Sequence, residues 1–255
     1  MQDLAGKRII IGGGATGMGA ALALRLVKLG AKVIVGDVNE AGLERLMPDL
    51  AGGPGLALLH VFDLADDASI ERLVQRCVDE FGGVDGVAIP GADLSPATMG
   101  NDNNVLTMDP KIWERTFRVN VIGHGMLMKI AIPHLIAAGG GSIVVVSSEA
   151  SFLGLPYVPA YGSSKAALQA LVRHTARVVG KDGIRVNGVC PGRVINDRSE
   201  VISRQEVVDQ PPHNAINRHG HPDDVAKVMA FLLSEESGWI TGQTISANGG
   251  SDMRD

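Results

Sequence analysis

Aromatic residues are scarce in this chain, making up 4% of 255 residues, with five Phe, two Trp and two Tyr. Because 45% of the chain is nonetheless apolar, its core must be built from Ala, Val, Ile and Leu, which is how a buried parallel sheet covered by helices reads. Cysteine is equally rare. Cys77 and Cys190 stand far apart in no metal-ligand spacing, which points to a reducing, cytoplasmic setting. Runs of Lys or Arg are missing, and the balance of 23 basic against 28 acidic residues gives a net charge of -5. A chain without that electrostatic footprint is not expected to bind nucleic acid. There is also no membrane-spanning run. The stretch from Ile130 to Ser148 is uncharged but holds Pro133, His134 and the glycines Gly139 to Gly141, so no membrane partner is expected. The opening MQDLAGKRIII lacks the basic-then-apolar pattern of a signal peptide.

What is present is a rhythm. Short β-branched runs at Arg8–Ile11, Lys32–Gly36, Leu56–Phe62, Gly86–Ile89, Ser142–Ser147, Ile184–Val189 and Thr244–Ser246 read as strands. Helical spacing fills Met18–Leu29, Ala68–Phe81, Pro110–Ala138, Ala160–Gly180 and Asp223–Leu233. This alternation predicts an α/β fold, a doubly wound parallel sheet with helices on both faces. No linker or repeat divides residues 1–255, so a single domain is expected, large enough to bury roughly 70 to 75% of the unfolded chain's surface. Two stretches break the rhythm: Asp93–Asn104, and a segment at about 193–217 containing Pro211-Pro212. The second is expected to act as a substrate lid beyond the carboxyl ends of the strands.

Directly after the first strand comes Gly12-Gly13-Gly14-Ala15-Thr16-Gly17-Met18-Gly19, followed by an apolar helix. Glycines at 13, 17 and 19 permit a tight turn, close approach of backbone to a pyrophosphate, and close packing of helix on strand. Thr16 and Met18 lie within the same turn, where free N–H groups at a helix start attract phosphate. Asp37 ends the second strand, placed to accept hydrogen bonds from both ribose hydroxyls of an adenosine and to repel a 2′-phosphate. Val38 follows it, and no Arg or Lys lies within the glycine turn. The expected cofactor is therefore NAD rather than NADP. After the third strand, Asp63 and Leu64 reach either the adenine edge or, in the case of Asp63, the cap of the next helix.

The segment IVVVSSEASFLGLPYVPAYGSSKAAL carries the chemistry. Tyr161 and Lys165 are spaced i and i+4 at a helix start, so they share one face. A phenol with a pKa of about 10 must fall by roughly 3 units to serve as a base near neutrality, about 4 kcal/mol. One cation about 4 Å away at an effective dielectric near 20 supplies approximately that. Lys165, aided by a positive nicotinamide ring, is the expected source. Ser148 ends the fifth strand and can hold the substrate oxygen. Asn120, a poor helix former inside a long helical stretch, can bend that helix around a water in a proton path. The bland alternatives are a core ring at Tyr161, a surface Lys165 and capping serines at 147 and 148. The other phenol, Tyr157, sits between Pro156 and Pro159 with no lysine one turn on.

Taken in order, the glycine turn, Asn120, Ser148, YGSSK and NGVCPG resemble the short-chain dehydrogenase/reductase family over essentially the whole chain. The resemblance implies one Rossmann domain with a seven-stranded parallel sheet and NAD(P)-dependent interconversion of an alcohol and its ketone. Tyr161 would be the acid/base, Lys165 would hold the nicotinamide ribose, Ser148 the substrate oxygen, and Asn120 would serve the proton relay. It further implies cofactor contacts from Gly91 and from Pro191, Gly192, Val194 and Asn196, and a homo-oligomer, preferentially a tetramer. Three departures stand out. Gly12 replaces the usual Thr, which is expected to loosen the turn. Ile89-Pro90-Gly91-Ala92 replaces the usual Asn-Asn-Ala-Gly, so side-chain amides that steady the sheet centre are missing. Asn196 stands where a Thr is common, and its amide can bond the nicotinamide carboxamide.

Elsewhere the signals are bland. His219 and His221 in RHGHPDD lack a third ligand, so no metal is expected, and HPDD reads as a helix start with Pro in its first turn. Asp93, Asn101, Asp102, Asn103 and Asn104 read as a solvated turn, with the lining of a substrate pocket as the alternative. Besides redox chemistry, two further readings keep the fold: elimination or epimerisation with the same groups, or a dinucleotide-binding protein without catalysis.

Overall fold

In the computed structural model, which describes residues 3–195 and 214–253, seven parallel strands form one sheet in the order β3-β2-β1-β4-β5-β6-β7. These are β1 (Arg8–Gly12), β2 (Lys32–Asp37), β3 (Leu56–Val61), β4 (Gly86–Ile89), β5 (Gly141–Val146), β6 (Ile184–Pro191) and β7 (Thr244–Ala247). The helices are α1 (Gly17–Lys28), α2 (Glu40–Leu50), α3 (Asp67–Phe81), α4 (Pro110–Phe117), α5 (His124–Ala137), α6 (Pro159–Val179) and α7 (Pro222–Leu233). All seven strands fall where the β-branched runs predicted them, to within two residues at either end.

Strand alternation sorts the core into two layers. Ile9 and Ile11 of β1 face one layer with Leu22 and Leu26 of α1 and Met229 of α7. Ile10, between them, faces the other layer with Leu73 of α3, Leu127 of α5 and Val172 of α6. Ile10 pairs with Ile34 of β2 on one side and Val87 of β4 on the other. Each of these side chains is fully buried, worth about 1.5 to 3 kcal/mol apiece. The sheet runs outward in both directions from β1 and β4, so a crevice opens at the carboxyl ends of these two strands.

Two helical expectations need correction. The structure adds α2, whose internal Pro48 hides it from a reading that treats proline as a stop. Its Leu43, Leu46 and Leu50 nonetheless bury one face, and the Asn39 side chain caps it by accepting the Gly42 N–H at 3.0 Å. The stretch from Pro110 is not one regular helix either: a π-helical turn, Arg118–Gly123, separates α4 from α5. By length and apolarity Pro110–Ala137 passes for a membrane span, but Leu127, Met128, Ala131 and Leu135 pack into the core beneath the sheet. The HPDD segment does start a helix, with Pro222 in the first turn and the Asp224 carboxylate accepting the His221 N–H at 2.9 Å.

Candidate active site

The glycine turn is anchored by backbone. Gly13 and Gly14 both donate to the Gly36 carbonyl, at 2.8 and 2.9 Å, and the Gly91 N–H donates to the Gly12 carbonyl at 2.9 Å. At Gly12, Leu127, Phe62 and Ile89 lie where a β-carbon would project, so the space a larger residue would take is already filled. Gly13 has φ +105 and lies against Gly91, while Gly19 lies against the Gly13 carbonyl, so a side chain at either position would collide with backbone. The helix start beyond the turn is left open. Thr16 makes no capping bond and no acid stands in the first turn of α1. By contrast, α3, α4 and α7 each begin with a side-chain cap. An uncapped positive helix end behind a glycine cradle fits a pyrophosphate.

A cleft of about 870 Å³ runs along the carboxyl ends of the strands, within the range of cofactor sites. It is lined by Gly13, Thr16, Gly17, Met18, Gly19, Asp37, Val38, Asp63, Leu64, Gly91, Val194 and Tyr161. Asp37 is oriented by two backbone donors, Ala15 and Asn39, each at 2.9 Å. Asp63 accepts the Ala65 N–H at 2.7 Å, while the cap of α3 is Asp66, so Asp63 belongs to the cleft and does not cap the helix. Pro191 closes β6 and Gly192 follows it, packed against Asn248; neither is among the residues that line the cleft. Asn196 and most of the expected lid, 196–213, lie outside the described residues.

At the far end of the cleft, α6 carries Tyr161 and Lys165. Lys165 is buried at 1% exposure. Its ammonium donates to the Val146 carbonyl at 2.8 Å and lies 5.6 Å from the centre of the Tyr161 ring. This excludes a surface role for Lys165. Ser148 lies in the loop after β5, accepts the Ala150 N–H at 3.2 Å, and sits near enough to the Tyr161 phenol to oppose the rise in its pKa. Ser147, its neighbour, is structural: it donates to the Lys165 carbonyl at 2.9 Å.

Burial raises the Tyr161 pKa above its ordinary value, opposed by the Ser148 hydrogen bond and reinforced by Cys190. Burial also lowers the Lys165 pKa to about 7, with Cys190 acting in the opposite sense. Desolvation is the largest influence on both groups, although Lys165 is fully enclosed while Tyr161 faces the cleft.

Asn120 lies within the π turn and is fully buried. Its side-chain carbonyl accepts the Asp93 N–H at 2.9 Å and its amide donates to Ser164 at 3.1 Å. It thus ties the loop after β4 to the helix that carries Tyr161. Asp93–Asn104 is not a solvated turn throughout. The Asp93 carboxylate is bonded by Thr98 at 2.7 Å and Arg115 at 3.0 Å, and Asp102 is buried. Arg45 and Arg115 also line the cleft. Arg45 escaped sequence reasoning with the helix that holds it, although Leu43, Leu46 and Leu50 carry the helical spacing.

A Rossmann sheet with an open glycine-lined helix start, joined to a cleft-lining Tyr161 over the buried Lys165 with Ser148 beside it, defines a nicotinamide-dinucleotide oxidoreductase of the short-chain type. Comparison with known proteins agrees. Residues 13–252 match the family model described as Enoyl-(Acyl carrier protein) reductase. The chain is 32% identical to a 3-oxoacyl-[acyl-carrier-protein] reductase FabG of Thermotoga maritima, covering 97% of this chain and 98% of that one. It is 34% identical to a 2,5-dichloro-2,5-cyclohexadiene-1,4-diol dehydrogenase of Sphingobium indicum, over 98% of each. A short-chain type dehydrogenase/reductase from Mycobacterium ulcerans superposes with a TM-score of 0.89 at 27% identity, covering 98% of this chain and 90% of that one. The chain belongs to the short-chain dehydrogenase/reductase family and is an oxidoreductase acting on CH–OH groups.

Proposed function

We propose that this enzyme interconverts a secondary alcohol and its ketone with NAD. The observation that carries the reading is the Tyr161–Lys165–Ser148 cluster at the end of a cleft whose other end holds Asp37. Gly13, Gly17 and Gly19 with the start of α1 would hold the pyrophosphate, and Asp37 the adenosine ribose. Lys165 and Gly91 would hold the nicotinamide ribose, with Val194 beside the carboxamide. A bound oxidised nicotinamide would supply the hydride-accepting carbon together with a positive charge that offsets the burial cost of a phenolate. Ser148 holds the substrate oxygen. Tyr161 takes the hydroxyl proton during oxidation and returns it during reduction. Lys165, fixed by the Val146 carbonyl, keeps a cation over the phenol ring. Asn120 fixes the loop and helix between which the proton leaves. A cytoplasmic setting and a homotetramer belong to the same proposal.

The supporting feature for NAD over NADP is the carboxylate of Asp37, whose two oxygens are already oriented by Ala15 and Asn39. Arg45, which lines the same cleft, is a feature that would favour a 2′-phosphate. The test is a panel of secondary alcohols and ketones, from small polyols to ring systems, run with NAD and NADP. Turnover with NAD is expected, with Tyr161→Phe losing about 100-fold or more while still binding NADH. A clear NADP preference refutes the role of Asp37. Substrate loss without change in NADH absorbance replaces the redox reading with elimination or epimerisation.

A further inference from the structure

His124 opens α5 one turn after Asn120 and is completely buried. Its Nε2 lies 2.9 Å from the Gly91 carbonyl oxygen. A carbonyl only accepts, so Nε2 carries the proton and the ring is the Nε2–H tautomer. Burial lowers the His124 pKa to about 3, with the Lys165 charge acting in the same sense. The ring is therefore neutral wherever the enzyme works, and Nδ1 is a buried atom with no partner among the described residues.

What the ring holds is the peptide at the centre of the cleft. Gly91 is pinned through its N–H to the Gly12 carbonyl, and its α-carbon lies against Gly13 of the glycine turn. The two positions before it provide no polar side chain: Ile89 is fully buried in the core and Pro90 lacks even an N–H. The His124 bond thus takes the Gly91 carbonyl while the Gly12 bond takes its N–H, tying the loop to both α5 and the end of β1. β4 lies between β1 and β5 in the sheet. A dinucleotide laid from Asp37 at the end of β2 to Tyr161 beside β5 must cross the end of β4 with its nicotinamide half.

We propose that His124 is a positioning residue for the nicotinamide half of the cofactor, supplying from α5 the hydrogen bond that holds Gly91 in a chain whose β4 terminus has no side-chain amide. This rests on the dinucleotide reading above, and the test separates the two. NADH and ADP are titrated calorimetrically into the full-length wild-type protein and into His124→Leu and His124→Gln. Leucine keeps bulk without a donor, whereas glutamine restores an N–H. The Leu variant is expected to bind NADH at least tenfold more weakly while ADP stays within twofold, and the Gln variant to recover NADH binding to within threefold of wild type. Equal weakening of both ligands would mark a merely structural residue. Unchanged NADH binding in the Leu variant, or no recovery in the Gln variant, also overturns the proposal. Long-range proton–nitrogen NMR of the wild-type protein needs no variant to fold: a neutral ring protonated at Nε2 is expected at pH 7, and the opposite tautomer or an imidazolium refutes it. Wild-type protein that fails to bind NADH at all would instead sink the dinucleotide reading.

Discussion

The carboxylate of Asp102 accepts the backbone N–H groups of Ala160 and Tyr161, at 3.1 and 2.9 Å, so a buried acid from the loop after β4 caps the helix that carries the proton-transfer tyrosine. The Asp102 carbonyl also accepts the Val158 N–H at 2.8 Å. Val158 has φ +54, the one left-handed non-glycine residue among those described, and a β-branched side chain is strained there. Such strain persists only where surrounding bonds impose it, and Asp102 provides three of them.

Replacing Asp102 by Ala removes an N-cap and leaves two donors without their partner. A loss of about 1 to 3 kcal/mol of stability is expected, with kcat falling more than KM rises because Tyr161 and Lys165 drift together. Asp102→Asn keeps one acceptor oxygen and should lose less of both. Urea unfolding and steady-state kinetics read the two effects. A kcat unchanged in the Ala variant would show that the cap does not position Tyr161.

Gly19 is a second place where one atom decides. Its added β-carbon meets the Gly13 carbonyl oxygen, backbone against backbone, so no side chain can give way. Gly19→Ala is expected to cost about 1 to 3 kcal/mol by overpacking and to weaken dinucleotide binding at least tenfold. Gly6→Ala is the control: unlike Gly19 it sits at positive φ, +72, but it has open space around it. Its backbone strain acts on stability alone. Equal loss of cofactor binding in both variants would contradict the cradle.

The buried imidazole also sets an acid limit. His124 has a folded pKa of about 3 against an ordinary 6.5, so between these values the unfolded chain binds the extra proton. Stability from this group is complete above pH 6.5 and declines as pH falls toward 3, by about 1.4 kcal/mol per pH unit. Lys165, lowered to about 7 by burial, is charged in both states well below that pH and adds no slope there; its own contribution rises with pH from about 7 to 10.5. Asp224, held at about 2 chiefly by Arg218, adds to acid lability only below its ordinary 3.8. Unfolding free energies of wild type and His124→Gln at pH 6.5, 5.5 and 4.5 should therefore converge as pH drops. Parallel lines would mean that His124 is charged in the folded protein.

Much of this site is local enough to be legible. The turn from Gly12 to Gly19, the acid ending β2 and the i, i+4 pair of Tyr161 and Lys165 each involve neighbours in sequence, and each lies where spacing placed it. Asp102, His124 and Arg45 were not legible, because their meaning rests on partners far along the chain. Asp102 caps a helix 58 residues away, and His124 reaches a carbonyl 33 residues back. A polar turn and a histidine in an apolar helix carry no spacing signal of such distant partners.

The amino-acid order alone determined the strands, the alternation that makes their sheet parallel, and the side chains that do chemistry, because period and turn composition act between near neighbours. The tertiary structure decided how those side chains are charged and held. Packing buried Lys165 beneath the Tyr161 ring at the edge of the cleft, and it set the Asp102 and His124 bonds that fix the start of α6 and the Gly91 peptide. Burial and long-range hydrogen bonding depend on which distant segments meet, which only the folded chain specifies.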